Sequence, residues 1–363
     1  MKVLHTESSL GWGGQEIRTI NDAHFLAEQN HSVLIATPST GQLAERLKKE
    51  NRPLLADCPI EKKSILGVLS LIKLLKTYEP DIVCTHSSSD SWTFFIARVF
   101  VSKQAKWIRY RHISAAPRQN WLSRRLYRAP DLTVTTSPLI SEQLIQLTGV
   151  HHKKIISIPT GVVLPEPNAG KSKKSGDLLN AYGLSNRVII VMVATLRSWK
   201  GHSYVIEAMR QLPLEACLLI VGDGPQRSNL ETQVTRLNLR EQVLFTGHLE
   251  NPRPAFEIAQ IFCQPSYANE GISQSVLQAA AYKLPIVTTA VGGQDRIIED
   301  QRSGLLVEPH STDGLVKALK FLIDHPVERA RYGLKAFEKV SAEYTREKLN
   351  QKLLEEINRL LST

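Results

Sequence analysis

Glu270 and Gln278 stand eight residues apart in the stretch 265–293, PSYANEGISQSVLQAAAYKLPIVTTAVGG, and their chemistry depends on what lies between them. Val276, Leu277, Ala280 and Ala281 recur at helical spacing over 273–282, directly after the acid. The carboxylate therefore sits on a loop at the positive end of a helix, where unpaired N–H groups attract phosphate oxygens. A carboxylate just outside such an end accepts hydrogen bonds from sugar hydroxyls. Eight residues of helix advance the chain by roughly 12 Å, so Gln278 reaches a different part of an extended ligand. One end can hold a hexose, the other a ribose. Gly271, Ile272, Ser273 and Gln274, where loop passes into helix, join them as candidates for binding a sugar nucleotide.

Two further groups carry charge to strand ends. Arg197 and Lys200, in VATLRSWKGH, lie where an apolar run gives way to a helix. Cations three residues apart at such a junction can clamp a diphosphate and stabilise the charge that grows as it leaves. Arg109, Arg111 and His112 end another apolar run, in RYRHIS, and His86 follows a third in CTHSSSDSW. Solvated surface charge is the competing reading of the arginines, and ordinary structural imidazoles that of the histidines.

These residues need elements to hold them. Apolar strand-like runs at 2–6, 32–36, 81–85, 106–110, 132–135 and 155–158 alternate with amphipathic helical stretches, and so do runs at 188–193, 218–221, 243–245, 261–263 and 286–288. Such alternation predicts parallel sheets flanked by helices, an α/β architecture. At 363 residues the chain exceeds one ordinary core. The Pro-, Gly-, Ser- and Lys-rich stretch 165–176 reads as a linker between a domain at 1–164 and another at 177–345. A last helix at 346–363 follows, its Leu349, Leu353, Ile357 and Leu361 on one stripe. Glu299 and Asp300 read as the surface end of another helix. The four cysteines show no C-x-x-C spacing and read as buried thiols of a reducing compartment, and the opening residues lack the apolar core of a signal peptide.

The stretch 265–293 resembles the signature of the retaining family-4 glycosyltransferases (group 1) of GT-B fold, in which two glutamates are separated by seven residues. Glu270 matches the first and Gln278 occupies the place of the second. The resemblance implies two doubly wound Rossmann-like domains facing across a cleft, with the final helix returning to the first domain. It implies that Glu270 contacts the donor sugar near its reacting carbon and that position 278 binds ribose hydroxyls; Gln278 can still hydrogen-bond there, but it supplies no charge. Arg197 and Lys200 resemble the family's Arg/Lys pair, except that the family's arginine stands five residues before the lysine, where this chain has Thr195. Gly13 and Gly14, in the glycine-rich turn 11–14, match a turn that approaches donor phosphate and acceptor. His112 matches a histidine that contacts the donor sugar, with His86 its competitor. Gly222 and Gly224, and His248 after Gly247, match loops around the nucleobase. The acid that usually follows the Gly-Gly is shifted here, to Asp295.

The implied activity is a retaining, metal-independent transfer of sugar from a nucleotide-diphospho sugar to a sugar or lipid-linked acceptor, as in synthesis of lipopolysaccharide or other surface glycans. No cofactor is expected: Asp-x-Asp at a strand end and ligand-spaced His/Cys clusters are both absent from the sequence. The rival readings are a GT-B nucleotide-sugar epimerase, a glucan phosphorylase, or a non-catalytic module that binds sugar nucleotide or nucleic acid. Charge bears on the acceptor. Residues 1–160 hold 21 Lys and Arg against 13 Asp and Glu, so +8 of the net +10 lies there. The segment 103–128 carries eight cations and no acid, including Arg109, Arg111, Arg124, Arg125 and Arg128. Nucleic-acid motifs are lacking. A basic helix at 120–128 with Trp121, Leu122 and Leu126 as apolar anchors predicts a cytoplasmic protein lying peripherally on the anionic inner leaflet, with 65–75 as a second greasy surface.

Overall fold

The computed structural model describes residues 1–49, 53–62, 64–113, 115–166, 170–268 and 271–362. They form two compact units, Met1–Thr160 with Glu347–Thr363, and Gly161–Arg346.

The first unit carries β1 (Lys2–Thr6), α1 (Gly14–Glu28), β2 (Ser32–Thr37), α2 (Gln42–Leu47), β3 (Leu54–Asp57), α3 (Ile65–Tyr78), β4 (Ile82–Thr85), α4 (Ser88–Ala97), β5 (Lys106–Arg111), α5 (Trp121–Arg128), β6 (Leu132–Thr135), α6 (Pro138–Thr148) and β7 (Ile155–Ser157). Its strands run parallel in the order β3-β2-β1-β4-β5-β6-β7. The order reverses between β1 and β4, which places a crevice at their carboxyl ends. Trp107 of β5 anchors the core, fully buried and edge-on to Phe94 of α4 at 5.2 Å.

The second unit carries α7 (Lys173–Ala181), β8 (Val188–Val193), α8 (His202–Met209), β9 (Ala216–Val221), α9 (Arg227–Arg236), β10 (Val243–Gly247), α10 (Arg253–Ile258), β11 (Ile261–Gln264), α11 (Gln274–Ala281), β12 (Ile286–Thr288), β13 (Gly304–Leu306), α12 (Thr312–Asp324) and α13 (Pro326–Glu343). The parallel order is β10-β9-β8-β11-β12-β13, reversing between β8 and β11. Strand alternation fills both sides of this sheet: Ile189, Val191, Leu219 and Phe262 belong to one buried cluster, Ile190, Met192, Leu218 and Ile220 to the other. Both units are therefore Rossmann-like, as the alternating pattern predicts. The last helix, α14 (Arg346–Leu361), buries Leu349, Leu353 and Ile357 and is grouped with the first unit.

The structure corrects two expectations. The chain passes from one unit to the next at Thr160/Gly161, and 165–176 lies inside the second unit, its end already helical in α7. The passage is pinned because Val162 N–H donates to Tyr344 O at 3.0 Å and Arg346 N–H to Val162 O at 2.8 Å, which lays the outgoing and returning segments side by side. Glu299 and Asp300 end no helix: Asp300 bridges to Gly304 and its carboxylate accepts from Leu306 N–H at 2.8 Å. The structure adds two short strands that the sequence reading did not include, β3 and β13, one at an edge of each sheet.

Candidate active site

In the second unit the reversal between β8 and β11 brings together the loops that follow them. Arg197, exposed, and Lys200, half-buried, lie on the loop and single turn between β8 and α8, and the Arg197 guanidinium lies over the Trp199 ring at 5.3 Å. Backbone joins this loop to the one after β11: Tyr267 N–H donates to Trp199 O at 2.8 Å. Gly201, at φ +83°, lies so close that a Cβ would fall 2.2 Å from Pro265 O. The cations are thus fixed against the loop that leads into α11.

That loop is held from inside. Gln264, buried at the end of β11, donates to Ser266 Oγ at 3.2 Å and exchanges hydrogen bonds with Ser273 Oγ at 3.1 and 3.2 Å. Gln294 accepts from Ser273 N–H at 3.5 Å and donates to Gly271 O at 3.3 Å. Ser273 caps α11 through backbone geometry alone, with no side-chain cap and no acid in the first turn, so the helix keeps its positive end. Gln278 is half-buried one turn further on, while Val276, Leu277 and Ala279–Ala281 pack inward. Glu270 lies outside the described residues. Ile272 packs its side chain into the core, which leaves only its backbone for a ligand.

Gly222 and Gly224 have a reason within the protein. At φ +137° and +158° they let the loop after β9 press on the loop after β8, where Cβ atoms would fall 2.1 Å from Ala194 O and 2.8 Å from Leu196 N. Leu196 N–H donates to Asp223 O, and Gln226 N–H to Leu196 O, both at 3.0 Å. His248 follows β10 on the surface.

In the first unit the reversal lies between β1 and β4. His5 of β1, His86 after β4 and His112 after β5 form one chain of imidazoles: His5 Nδ1 to His86 Nε2 at 2.9 Å, His86 Nδ1 to His112 Nε2 at 3.2 Å. Burial, with Arg18 nearby, lowers His5 and His112 to about 3, and burial lowers His86 well below its ordinary range. All three are neutral at physiological pH. His5 Nε2 is buried without a partner, and an orphaned N–H is costlier there than a bare lone pair. The protons therefore sit on Nδ1 of each ring, and His112 presents an N–H donor at Nδ1. The two histidines weighed as alternatives are thus members of one network. His5, its third member, was missed because a single histidine inside an apolar strand gives no signal.

The same crevice holds two buried acids. Glu7, just after β1, accepts from Ser9 N–H at 2.9 Å and from Gln15 Nε2 at 2.8 and 2.9 Å. Burial first, then repulsion from Asp90, push its carboxyl up to about 8. Asp90 closes a capping box on α4 with Ser87, and burial raises it to about 6. Gly13 is extended and Gly14 begins α1; a Cβ at Gly14 would meet no protein atom within 4 Å. Packing does not explain that glycine.

The basic segment divides. Arg109 is 2% exposed and stacks on Tyr127 at 3.9 Å, so it is no surface cation, contrary to expectation. Its position in the middle of a central strand forces it inward. Leu126 is likewise buried and anchors α5 to the core, not to a membrane. Trp121, Leu122, Arg124, Arg125 and Arg128 are exposed, and Asn120 caps the helix by accepting from Ser123 N–H at 2.8 Å. On α3, Ile65, Leu66 and Leu69 face solvent while Leu71 and Leu75 are buried. Among the described residues no helix is long and apolar enough to cross a membrane, and no three His, Cys, Asp or Glu side chains could hold a metal ion. All four cysteines are buried and unpaired.

Comparison with known proteins gives these positions a context. The family described as Glycosyltransferase Family 4 matches residues 12–165, and that described as Glycosyl transferases group 1 matches residues 179–339. Alpha-D-kanosaminyltransferase of Streptomyces kanamyceticus is 29% identical over 49% of this chain, and the chain spans 47% of that relative's length. A lipopolysaccharide core biosynthesis glycosyltransferase of Rhizobium meliloti is 24% identical over 63% of the chain and 64% of its own length. The UDP-Gal:alpha-D-GlcNAc-diphosphoundecaprenol alpha-1,3-galactosyltransferase of Escherichia coli is 23% identical over 90% of the chain and 89% of its own. Among solved structures, a glycosyltransferase from Rickettsia africae superposes with a TM-score of 0.89 at 22% identity, covering 99% of this chain and 98% of the other. Anabaena HepE in complex with UDP-glucose does so at 0.85 and 20%, covering 99% and 100%.

Proposed function

Because this chain belongs to the group 1, family-4 glycosyltransferases of GT-B fold, we propose that it moves a sugar, with retention of configuration and without a metal ion, from a nucleotide-diphospho sugar to a glycan or lipid-linked acceptor. One observation carries the reading: Arg197 and Lys200 are tied by backbone to the loop that opens α11, which sets two cations and an uncapped helix start on one side of the second unit's switch point. That is an arrangement for a diphosphate leaving group. The cations neutralise charge as the phosphate departs, and they do so in place of a metal.

Retention follows if the departing phosphate takes the proton of the attacking hydroxyl on the face it leaves. Glu270 then orients the sugar and favours positive charge at its reacting carbon, while Gln278 holds the ribose. His112, with its proton on Nδ1, donates to a sugar hydroxyl, and His86 and His5 fix that tautomer. Gly14 leaves room for ligand beside α1.

The exposed face of the first unit supports a place on the anionic inner leaflet. Trp121 and Leu122 stand beside Arg124 and Arg125, and Ile65 and Leu66 on α3 are 79% and 70% exposed. A lipid-linked or lipopolysaccharide acceptor suits that location, and two of the relatives carry such acceptors or products in their names. Incubation with labelled nucleotide sugars, followed by NMR of the product's anomeric carbon, tests the reading. Transfer with an unchanged anomer is expected; epimerised donor, an inverted product or binding alone would sink it.

A further inference from the structure

Arg109 is a buried cation without an acid. Its Nη1 donates to Leu126 O at 3.5 Å, its guanidinium lies on the Tyr127 ring, and its Nε has no partner. Arg111, two residues on and therefore on the same side of β5, adds a like charge, and its presence together with burial lowers Arg109 from its ordinary value. Among the described residues neither arginine forms an ion pair. Asp90 is the acid whose field reaches Arg109, yet it is no counterion. Its carboxylate is already occupied by Thr6 Oγ1 at 3.0 Å, His86 N–H at 2.8 Å, Ser87 N–H at 2.9 Å and Ser91 N–H at 2.6 Å.

Both guanidiniums line a cavity of about 460 Å³ wholly within the first unit, walled by α4, β5, α5 and the segment 115–118. Arg118 adds a third cation, Ser88 opens on it from the first turn of the ten-residue α4, and Trp92 and Tyr127 give it apolar sides. No acid lines it. A guanidinium held out of water is costly unless an anion completes it. The start of α4 is already closed by the Ser87–Asp90 capping box, so the donors left for a ligand are the planar N–H forks, which favour a phosphate over a carboxylate because its several acceptor oxygens can take more than one fork.

We infer that this cavity is a binding site for the phosphate or diphosphate group of the acceptor. The assignment to the acceptor rests on the sugar-transfer reading above; the anion site itself does not. It is separate from the donor diphosphate clamp, which belongs to Arg197 and Lys200 of the other unit. The volume, within the range of small-molecule pockets, leaves room for a sugar ring or the first isoprene of a lipid beside the phosphate.

The test uses the full chain carrying Lys200→Ala, which weakens the donor clamp, and reads the thermal midpoint with and without inorganic pyrophosphate. A rise that survives Lys200→Ala and disappears on adding Arg111→Gln is expected, with calorimetric pyrophosphate affinity falling at least roughly tenfold. Arg109→Met guards against a simple folding role. Replacing an uncompensated buried cation by an apolar side chain should leave the anion-free midpoint unchanged or higher while abolishing the pyrophosphate effect. Should Arg109→Met lower the midpoint and keep that effect, or Arg111→Gln bind pyrophosphate normally, the inference is overturned. Competition identifies the source: a sugar 1-phosphate displacing pyrophosphate as well as farnesyl diphosphate does assigns a soluble acceptor, and displacement by farnesyl diphosphate alone assigns a lipid-linked one. If wild type transfers no sugar yet these shifts appear, the anion site stands and the sugar-transfer reading falls.

Discussion

Glu7→Gln should stabilise the first unit at neutral pH, which is unusual for a buried, hydrogen-bonded side chain. Glu7 is fully buried, and burial with the neighbouring Asp90 holds its carboxyl at about 8, against an ordinary value of 4.5. Because the folded value is raised, its contribution is intact below 4.5 and is lost as pH rises toward 8. Between 4.5 and 7 the folded protein retains a proton that the unfolded chain has released, and each pH unit of that interval costs about 1.4 kcal/mol, roughly 3.5 kcal/mol in all as a ceiling. Glutamine cannot ionise, so it escapes this term; it keeps one acceptor for Ser9 N–H but meets Gln15 less well, which returns about 1–2 kcal/mol. The net gain is roughly 1–2 kcal/mol at pH 7 and a loss of similar size at pH 4. Urea denaturation read by tryptophan fluorescence measures it, since Trp12, Trp92, Trp107 and Trp121 lie in the first unit and Trp199→Phe removes the fifth. The acid-sensitive histidines contribute alike to both proteins and cancel in the difference. An equal loss of stability at pH 4 and pH 7 would refute the protonated-acid argument.

Glu270→Gln should remove most turnover while donor affinity stays within roughly tenfold, and Gln278→Ala should weaken donor binding by about 1–2 kcal/mol; unaltered donor binding by Gln278→Ala removes the ribose assignment. Lys200→Ala should lower both rate and nucleotide affinity, and chelation should change neither; activity abolished by EDTA and restored by a divalent ion would contradict the cation clamp. Flotation should show binding to anionic but not neutral vesicles, reversed by salt and weakened by Arg124→Glu with Arg125→Glu, whereas no binding to either kind removes the membrane from the proposal. Glu257, held at about 2 by hydrogen bonds from Ser175, Arg253 and Ser172, should stabilise the second unit above 4.5 and lose that contribution as pH falls toward 2; Glu257→Gln should flatten acid unfolding there, and an unchanged acid profile tells against the bonding.

Apolar periods made much of this legible beforehand. The helix behind Glu270 begins and ends within a residue of its apolar period, and the helices expected at 120–128 and 346–361 are present as α5 and α14. What local reading could not reach was anything assembled from distant segments. His5 and His86 are 81 residues apart and meet only because β1 and β4 are neighbours in the sheet. Gln264 and Gln294 look like ordinary polar residues at strand ends until folding closes them on Ser273 and Gly271. Arg109 was misread because a run of cations suggests a surface, while the middle of β5 is buried on both faces whatever residue stands there. The position 160/161 of the passage was hidden because a Pro- and Gly-rich stretch a few residues later looked more like a break.

The first unit is written in two pieces, with α14 supplied by the final residues of the chain. During synthesis the amino-terminal sheet emerges first, yet the unit must wait for the whole of the second before Leu349, Leu353 and Ile357, which are buried when folded, become available to it. The contiguous second unit has no such delay. Damage is displaced accordingly. A premature stop just after Arg346 spares the domain it adjoins and strips the one at the opposite end of the message, leaving an apolar face for chaperones or proteases to find.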